Sequence, residues 1–186
     1  MTNLRKRLGK AEDGDPYVIR RRAGTPYALH PDFTCDWHAF LRLAEHGLAT
    51  KTIAPLDEAL ALVRGRPFGT YAPSWAFSLQ QEMITRITDI AHAAAQHHTA
   101  HGLYDKAGAA LALGLEVDES AELLHRDLLR LEAARNNRPG IQAAIQMIRK
   151  INTSLDVSME PETEHLITQL RDPANAFTTT VGSAAS

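Results

Sequence analysis

The sequence predicts a mainly α fold, a body of stacked helix pairs preceded by a short β-hairpin. Three observations predict it. From Asp36 onward apolar residues recur at intervals of three and four, the spacing that lines one face of a helix. Glycine, proline and asparagine punctuate that pattern where helices must stop and start. Ahead of it, residues 17–21 and 26–30 read as two strand-like runs around a turn at 22–25.

Taken in order, residues 3–9 form the end of a helix closed by Gly9, and 11–16 a polar loop. The strand-like pair follows and breaks at Pro31 and Asp32. Asp36 is placed to cap a helix to about Leu48, with Trp37, Phe40, Leu41 and Ala44 on its apolar face. Pro55 opens a second helix that ends near Gly65, and 66–73 is a loop. Ser78 is placed to cap a long third helix, striped by Leu79, Met83, Ile84, Ile87 and Ile90, which Gly102 ends. Helices from Tyr104, from Asp118 and from Pro139 follow. Asn136 and Asn137 end the one from Asp118, and proline at a first helical turn costs little. A last short helix starts at Glu160-Pro161-Glu162, and residues 173–186 read as a disordered tail.

The helices starting near 78 and 118 lie about 40 residues apart, and their partners near 103 and 139 about 36, close to the ~34-residue tetratricopeptide repeat. No full repeat consensus is present, so spacing alone leaves an irregular bundle equally open. Three regions result: a basic helix end plus hairpin at 1–34, a helical domain at 35–172, and the tail.

The chain has 186 residues, enough to bury a core without staples. Its single cysteine, Cys35, excludes an intramolecular disulfide and a multi-cysteine zinc site. No run of 18 apolar residues suggests a membrane span, and the basic N-terminus lacks the apolar core of a signal peptide, so a cytoplasmic location is expected. Net charge is −2, yet residues 1–22 hold seven of the 20 basic groups and only three of the 22 acids. A basic head on an acidic body fits contact with a polyanion such as DNA; a solvated terminus is the plainer reading.

Residues 55–68, ending in Gly65-Arg-Pro-Phe68, resemble the start of the bacterial transcriptional activator domain family, with Trp75 supplying the tryptophan that follows that turn. Gly102-Leu-Tyr-Asp-Lys-Ala107, Glu122-Leu-Leu-His-Arg-Asp-Leu-Leu129 and Met159-Glu-Pro-Glu-Thr-Glu164 continue the resemblance over about residues 36–171. Residues 4–9, 17–21 and 24–29 are similar to the end of the recognition helix and the wing of an OmpR/PhoB-type winged helix, whose remaining parts are absent. Residues 75–77, 81–84 and 89–92 resemble an actinobacterial subgroup whose larger members carry LysM modules and membrane segments upstream.

The resemblance implies a non-enzymatic regulatory module that binds a protein partner or itself and positions a DNA-binding domain. The alternative is an interaction adaptor without DNA binding, conceivable as the cytoplasmic tail of a LysM-containing protein. Arg5, Lys6, Arg7, Arg20, Arg21 and Arg22 are the candidate DNA contacts. Tyr17, Val18, Tyr27 and Leu29 are expected to dock the hairpin, because so short a hairpin has no core of its own. Trp37, Trp75 and Phe77 are expected as core anchors, or as a seat for that hairpin.

No catalytic residue, cofactor or metal is assigned. His97 and His101 share a helix face, but no HExxH pattern or third ligand accompanies them, so exposed helix-end histidines are expected. A metal-dependent enzyme is kept as a third class for this cluster alone. Cys35, Asp36 and His38 are sequence neighbours without a triad's arrangement, and no glycine-rich phosphate loop is present.

Overall fold

The structure is a computed structural model that describes residues 2–19, 28–69 and 71–171, without the side chains of Thr2, Asn3 and Arg5. Its elements are α1 (Thr2–Leu8), β1 (Val18–Ile19), β2 (Ala28–Leu29), α2 (Asp36–Thr50), α3 (Ile53–Ala61), α4 (Phe77–Ala100), α5 (Tyr104–Val117), α6 (Glu122–Ala134), α7 (Arg138–Leu155) and α8 (Pro161–Arg171). A 3-10 turn at Ser74–Ala76 precedes α4. The chain is mainly helical with a two-stranded hairpin near its start, as the sequence predicts. It divides into two compact units, Met1–Arg42 and Leu43–Ser186. The division falls within α2.

In the first unit β1 and β2 pair antiparallel, Val18 opposite Leu29 and Ile19 opposite Ala28. The His30 N–H donates to the Tyr17 carbonyl at 2.9 Å and extends the ladder. Tyr17 meets His30 and Phe33 edge-on, at 6.3 and 6.0 Å between ring centroids. Val18 is buried, and Leu29, its partner across the strands, is 53% exposed. Trp37 stacks on buried Phe40 at 4.9 Å.

In the second unit α4 packs chiefly on α5 and α6 on α7, with α3 against α4 and α8 against α6. These are the two helix pairs predicted from spacing. Their apolar stripes make the core: Ile84, Ile87 and Ile90 from α4, Leu111 and Val117 from α5, Leu124, Leu129 and Leu131 from α6, Ile145 and Ile148 from α7. Gly114 lets α5 approach closely. An ideal Cβ there would stand 2.5 Å from Leu124 Cδ1 and 2.8 Å from the Ala91 Cβ.

Helix ends follow local rules more than the sequence suggests. Gly102 sits at φ +70°, its N–H donating to Thr99 O at 3.1 Å while Leu103 N–H reaches His98 O at 2.8 Å. That is a Schellman closure of α4. Lys51, Asn136 and Asp156 occupy the same left-handed position after α2, α6 and α7. At the starts, three expectations are corrected. Pro55 lies in the first turn of α3, which opens at Ile53, where its missing N–H has no intrahelical partner to lose. Ala76, not Ser78, occupies the cap position of α4, because the 3-10 turn already delivers the chain into helix. Asp118 ends α5; its Oδ1 accepts from Ser120 N–H at 3.1 Å and Ser120 Oγ at 2.7 Å, closing a turn before α6 starts at Glu122.

Among the described residues no helix is long and apolar enough to cross a membrane. The predicted tail lies outside the described residues.

Candidate protein-interaction surface

The segment that joins α3 to α4 concentrates exposed aromatic surface. Tyr71 is 91% exposed, Trp75 75% and Phe77 60%, and Phe68 is also exposed. The Phe68 and Trp75 rings meet edge to face, 6.1 Å between centroids at 82°. The expectation that Trp75 and Phe77 anchor a core is therefore wrong. In the turn Ser74–Ala76 only Ala76 is buried, and the indole is left outside. Half-buried Trp37 stacks on Phe40 within its own unit.

Polar clamps hold this segment. Arg66 donates from NH1 to the Val117 carbonyl at 3.0 Å, at the C-terminal end of α5 where a cation is favoured. Gln80, buried on α4, donates its amide to the Pro67 carbonyl at 2.7 Å and the Gly69 carbonyl at 3.2 Å. Gly69 N–H donates to Arg66 O at 2.9 Å. These bonds keep three bends in the left-handed region: Gly65 at φ +98°, Phe68 at +58° and Gly69 at +66°. A bulky residue such as phenylalanine adopts that region only when its surroundings impose it. Here the result is a Phe68 ring set outward beside Trp75.

A second apolar surface lies along α6 and α7, a groove of about 410 Å³ lined by Leu115, His125, Leu128, Met147 and Ile151. His125 is fixed there by its Nε2–H, which donates to the Glu119 carbonyl at 2.8 Å. On the opposite side of the pair, buried Asp127 accepts from His92 Nδ1 and from Arg130 NH1, the latter at 2.9 Å. Arg126 bonds Glu160 and, at 3.1 Å, the Thr163 hydroxyl, which fastens α8.

The predicted DNA-contact residues divide. Lys6 and Arg7 are exposed on α1, and among the described residues no salt bridge engages them. The Arg5 side chain, Arg20, Arg21, Arg22 and Tyr27 lie outside the described residues.

Among the described residues one group of three side chains could hold a cation. Asp13, Asp15 and His30 bring one ligand atom each within 4.8 Å of one another. His30 is already satisfied: Nε2 bonds Asp13 Oδ2 at 2.9 Å, and Nδ1 accepts from Asp32 N–H at 3.2 Å. The Asp15 N–H on Asp13 Oδ1, at 3.0 Å, holds the Asp13 carboxyl below its usual range, and His30 adds to that shift. His97, His98 and His101 lie together at the end of α4, the rings of His97 and His101 stacked 4.2 Å apart. His98 departs from the expected exposure: it is 2% exposed, with Nε2 bonded to Asp57 Oδ1 at 2.8 Å. It faces α3 because α4 continues past the point where α3 packs on it. Cys35 Sγ lies 3.7 Å from Asp36 Oδ1, and among the described residues no bond joins Cys35 to His38.

The sequence singled out Phe68 and Trp75 as landmarks without assigning them a joint surface, and it overlooked Gln80 and Arg66. The buried Gln80 interrupts an apolar stripe, a signal that a polar contact is required there. Compared with family models, curated proteins and solved structures, the chain matches none of them.

Proposed function

We propose that this chain is a non-enzymatic module of a cytoplasmic transcription regulator that works by protein association through its helical unit. The observation that carries the reading is the clamped aromatic segment: Phe68, Tyr71, Trp75 and Phe77 are held out to solvent by bonds from Arg66 and Gln80. Rigid, exposed aromatic residues lose little freedom on binding and dominate interface energetics. The resemblance of Gly65-Arg-Pro-Phe68 and Trp75 to the bacterial transcriptional activator domain family supplies the regulatory context. The basic head, with Lys6 and Arg7 exposed, is the part that would meet DNA.

Two measurements test the reading. Sedimentation of the chain over a concentration series, alone and with a winged-helix DNA-binding domain, is expected to show association that Trp75→Ala weakens at least tenfold. Titration of duplex DNA at low and moderate salt is expected to show salt-sensitive binding that the Arg20→Ala, Arg21→Ala, Arg22→Ala variant loses. Association without DNA binding would favour the adaptor reading. Neither association nor DNA binding would refute both.

A further inference from the structure

We propose that the groove along α6 and α7 is a binding site for a small amphiphilic amine, an apolar body carrying one protonated amino group. The groove holds about 410 Å³ and lies between the end of α5, α6 and α7. Small-ligand pockets measure roughly 300–1,000 Å³ and form readily between packed helices. Leu115, Leu128, Ala144, Met147 and Ile151 supply the apolar lining. Met147 is 51% exposed, and a methionine left open on a helix adapts its shape to an apolar partner. The groove shares no lining residue with the aromatic segment at 68–77, so the site does not rest on association through that segment.

Three polar side chains of this lining select the ligand's head. His125 is 4% exposed, and its Nε2–H donates to the Glu119 carbonyl at 2.8 Å. A carbonyl only accepts, so in the neutral ring the lone pair stands at Nδ1, which is buried without a partner. A buried acceptor left without a donor is costly, and a ligand that brings a donor removes that cost. Glu119 is exposed, and among the described residues no salt bridge engages its carboxylate. Glu132 is buried against Gly140, where an added Cβ would collide with its Oε2. Its carboxylate accepts from Asn137 Nδ2 and lies 3.6 Å from Arg135 NH1.

The lining therefore offers acceptors and negative charge. It holds two carboxylates and an orphaned lone pair, and among the described residues neither lysine nor arginine. Arg135 offsets Glu132 in part, which leaves Glu119 as the uncompensated charge. An ammonium group supplies one positive charge and three donors, so it answers both the orphaned acceptor and the free charge. A hydroxyl supplies one donor and no charge. A ligand carboxylate supplies neither, and Glu119 repels it.

The test uses the whole chain and three probes that share one apolar body: phenylbutylamine, phenylbutanol and phenylbutyrate. Calorimetric titration reads affinity. Magnetic resonance of methyl-labelled methionine reads position, because Met147 alone of the four methionines lines the groove. The amine is expected to bind at one site per chain, about tenfold tighter than the alcohol, with the carboxylate weaker still. It should shift the Met147 methyl and leave that of Met83. Glu119→Gln should bring the amine down to about the alcohol's affinity and leave the alcohol unchanged. Met147→Lys should weaken the amine and let the carboxylate bind. Both positions are exposed, so both variants should keep the wild-type circular dichroism. No binding of the amine, equal binding of the three probes, an unmoved Met147 methyl, or a preference unaltered by Glu119→Gln overturns the proposal. A Met147 signal that moves with protein concentration alone overturns it too, because a second copy of the chain then covers the groove.

Discussion

Two glycines of one helix should respond to the same substitution with opposite signs. At Gly114 an added methyl would stand 2.5 Å from Leu124 Cδ1 and 2.8 Å from the Ala91 Cβ. Carbon atoms ordinarily rest about 3.5–4.0 Å apart, so both neighbours must give by about 1 Å. The Ala91 Cβ is fixed to the α4 backbone, and Leu124 is fully buried with little room to turn. Overpacking costs about 1–3 kcal/mol, here about 2–3 because two neighbours are displaced at once, while replacing glycine by alanine within a helix returns about 1 kcal/mol. The net expectation for Gly114→Ala is destabilisation by about 1–2 kcal/mol. At Gly108 the same methyl would have only Leu131 Cδ2 nearby, at 3.9 Å, an ordinary contact. Gly108→Ala should therefore stabilise by about 0.5–1 kcal/mol. The gap between the variants is about 1.5–3 kcal/mol, or roughly 3–12 °C in melting temperature for a chain of this size. Urea and thermal unfolding followed by far-ultraviolet circular dichroism would measure it. If Gly114→Ala is as stable as Gly108→Ala, α5 does not approach α4 and α6 as described.

Other expectations concern polar groups and the aromatic segment. Asp127→Ala should cost about 3 kcal/mol in urea unfolding, because a buried carboxylate serving two donors is lost. Arg130→Ala, at the half-exposed end of the same network, should cost about 1 kcal/mol or less. Trp75→Phe should remove most of the acrylamide-quenchable emission of this two-tryptophan chain and change stability by less than about 0.5 kcal/mol. The lowered pKa of His97 means that the unfolded chain binds its proton first as pH falls. Its contribution is thus complete above the unfolded value, about 6.5, and is lost as pH falls from there through the folded value. His97→Gln should flatten the decline in stability between about pH 7.5 and pH 5; an unchanged slope would assign the decline to other groups.

Helix boundaries were legible where the responsible chemistry is local. Gly102, Asn136 and Pro139 act within a turn of their own positions, so pattern and structure agree there. Side chains that cap were less legible. Ser78 and Asp118 are residues that favour caps, yet a 3-10 turn and a longer link displaced both helix starts. Trp75 and Phe77 were misread because large apolar residues at a helix start are usually buried. Their exposure depends on how Arg66 and Gln80, 14 positions apart in sequence, bend the intervening chain. The cluster at the end of α4 was half legible: the interval between His97 and His101 is written in sequence, but the removal of His98 onto Asp57 requires α3 to be in place.

By itself the sequence determined the mainly helical class, the hairpin ahead of it, the two helix pairs and the apolar stripe of each. These follow from short-range periodicity and from residues that start or stop helices through their own backbone preferences. Only the tertiary structure decided which aromatic residues face water, which histidine is buried, and how near α5 comes to its neighbours. Those properties depend on contacts between residues tens of positions apart, where one missing methyl or one buried amide sets the geometry and no local pattern records it.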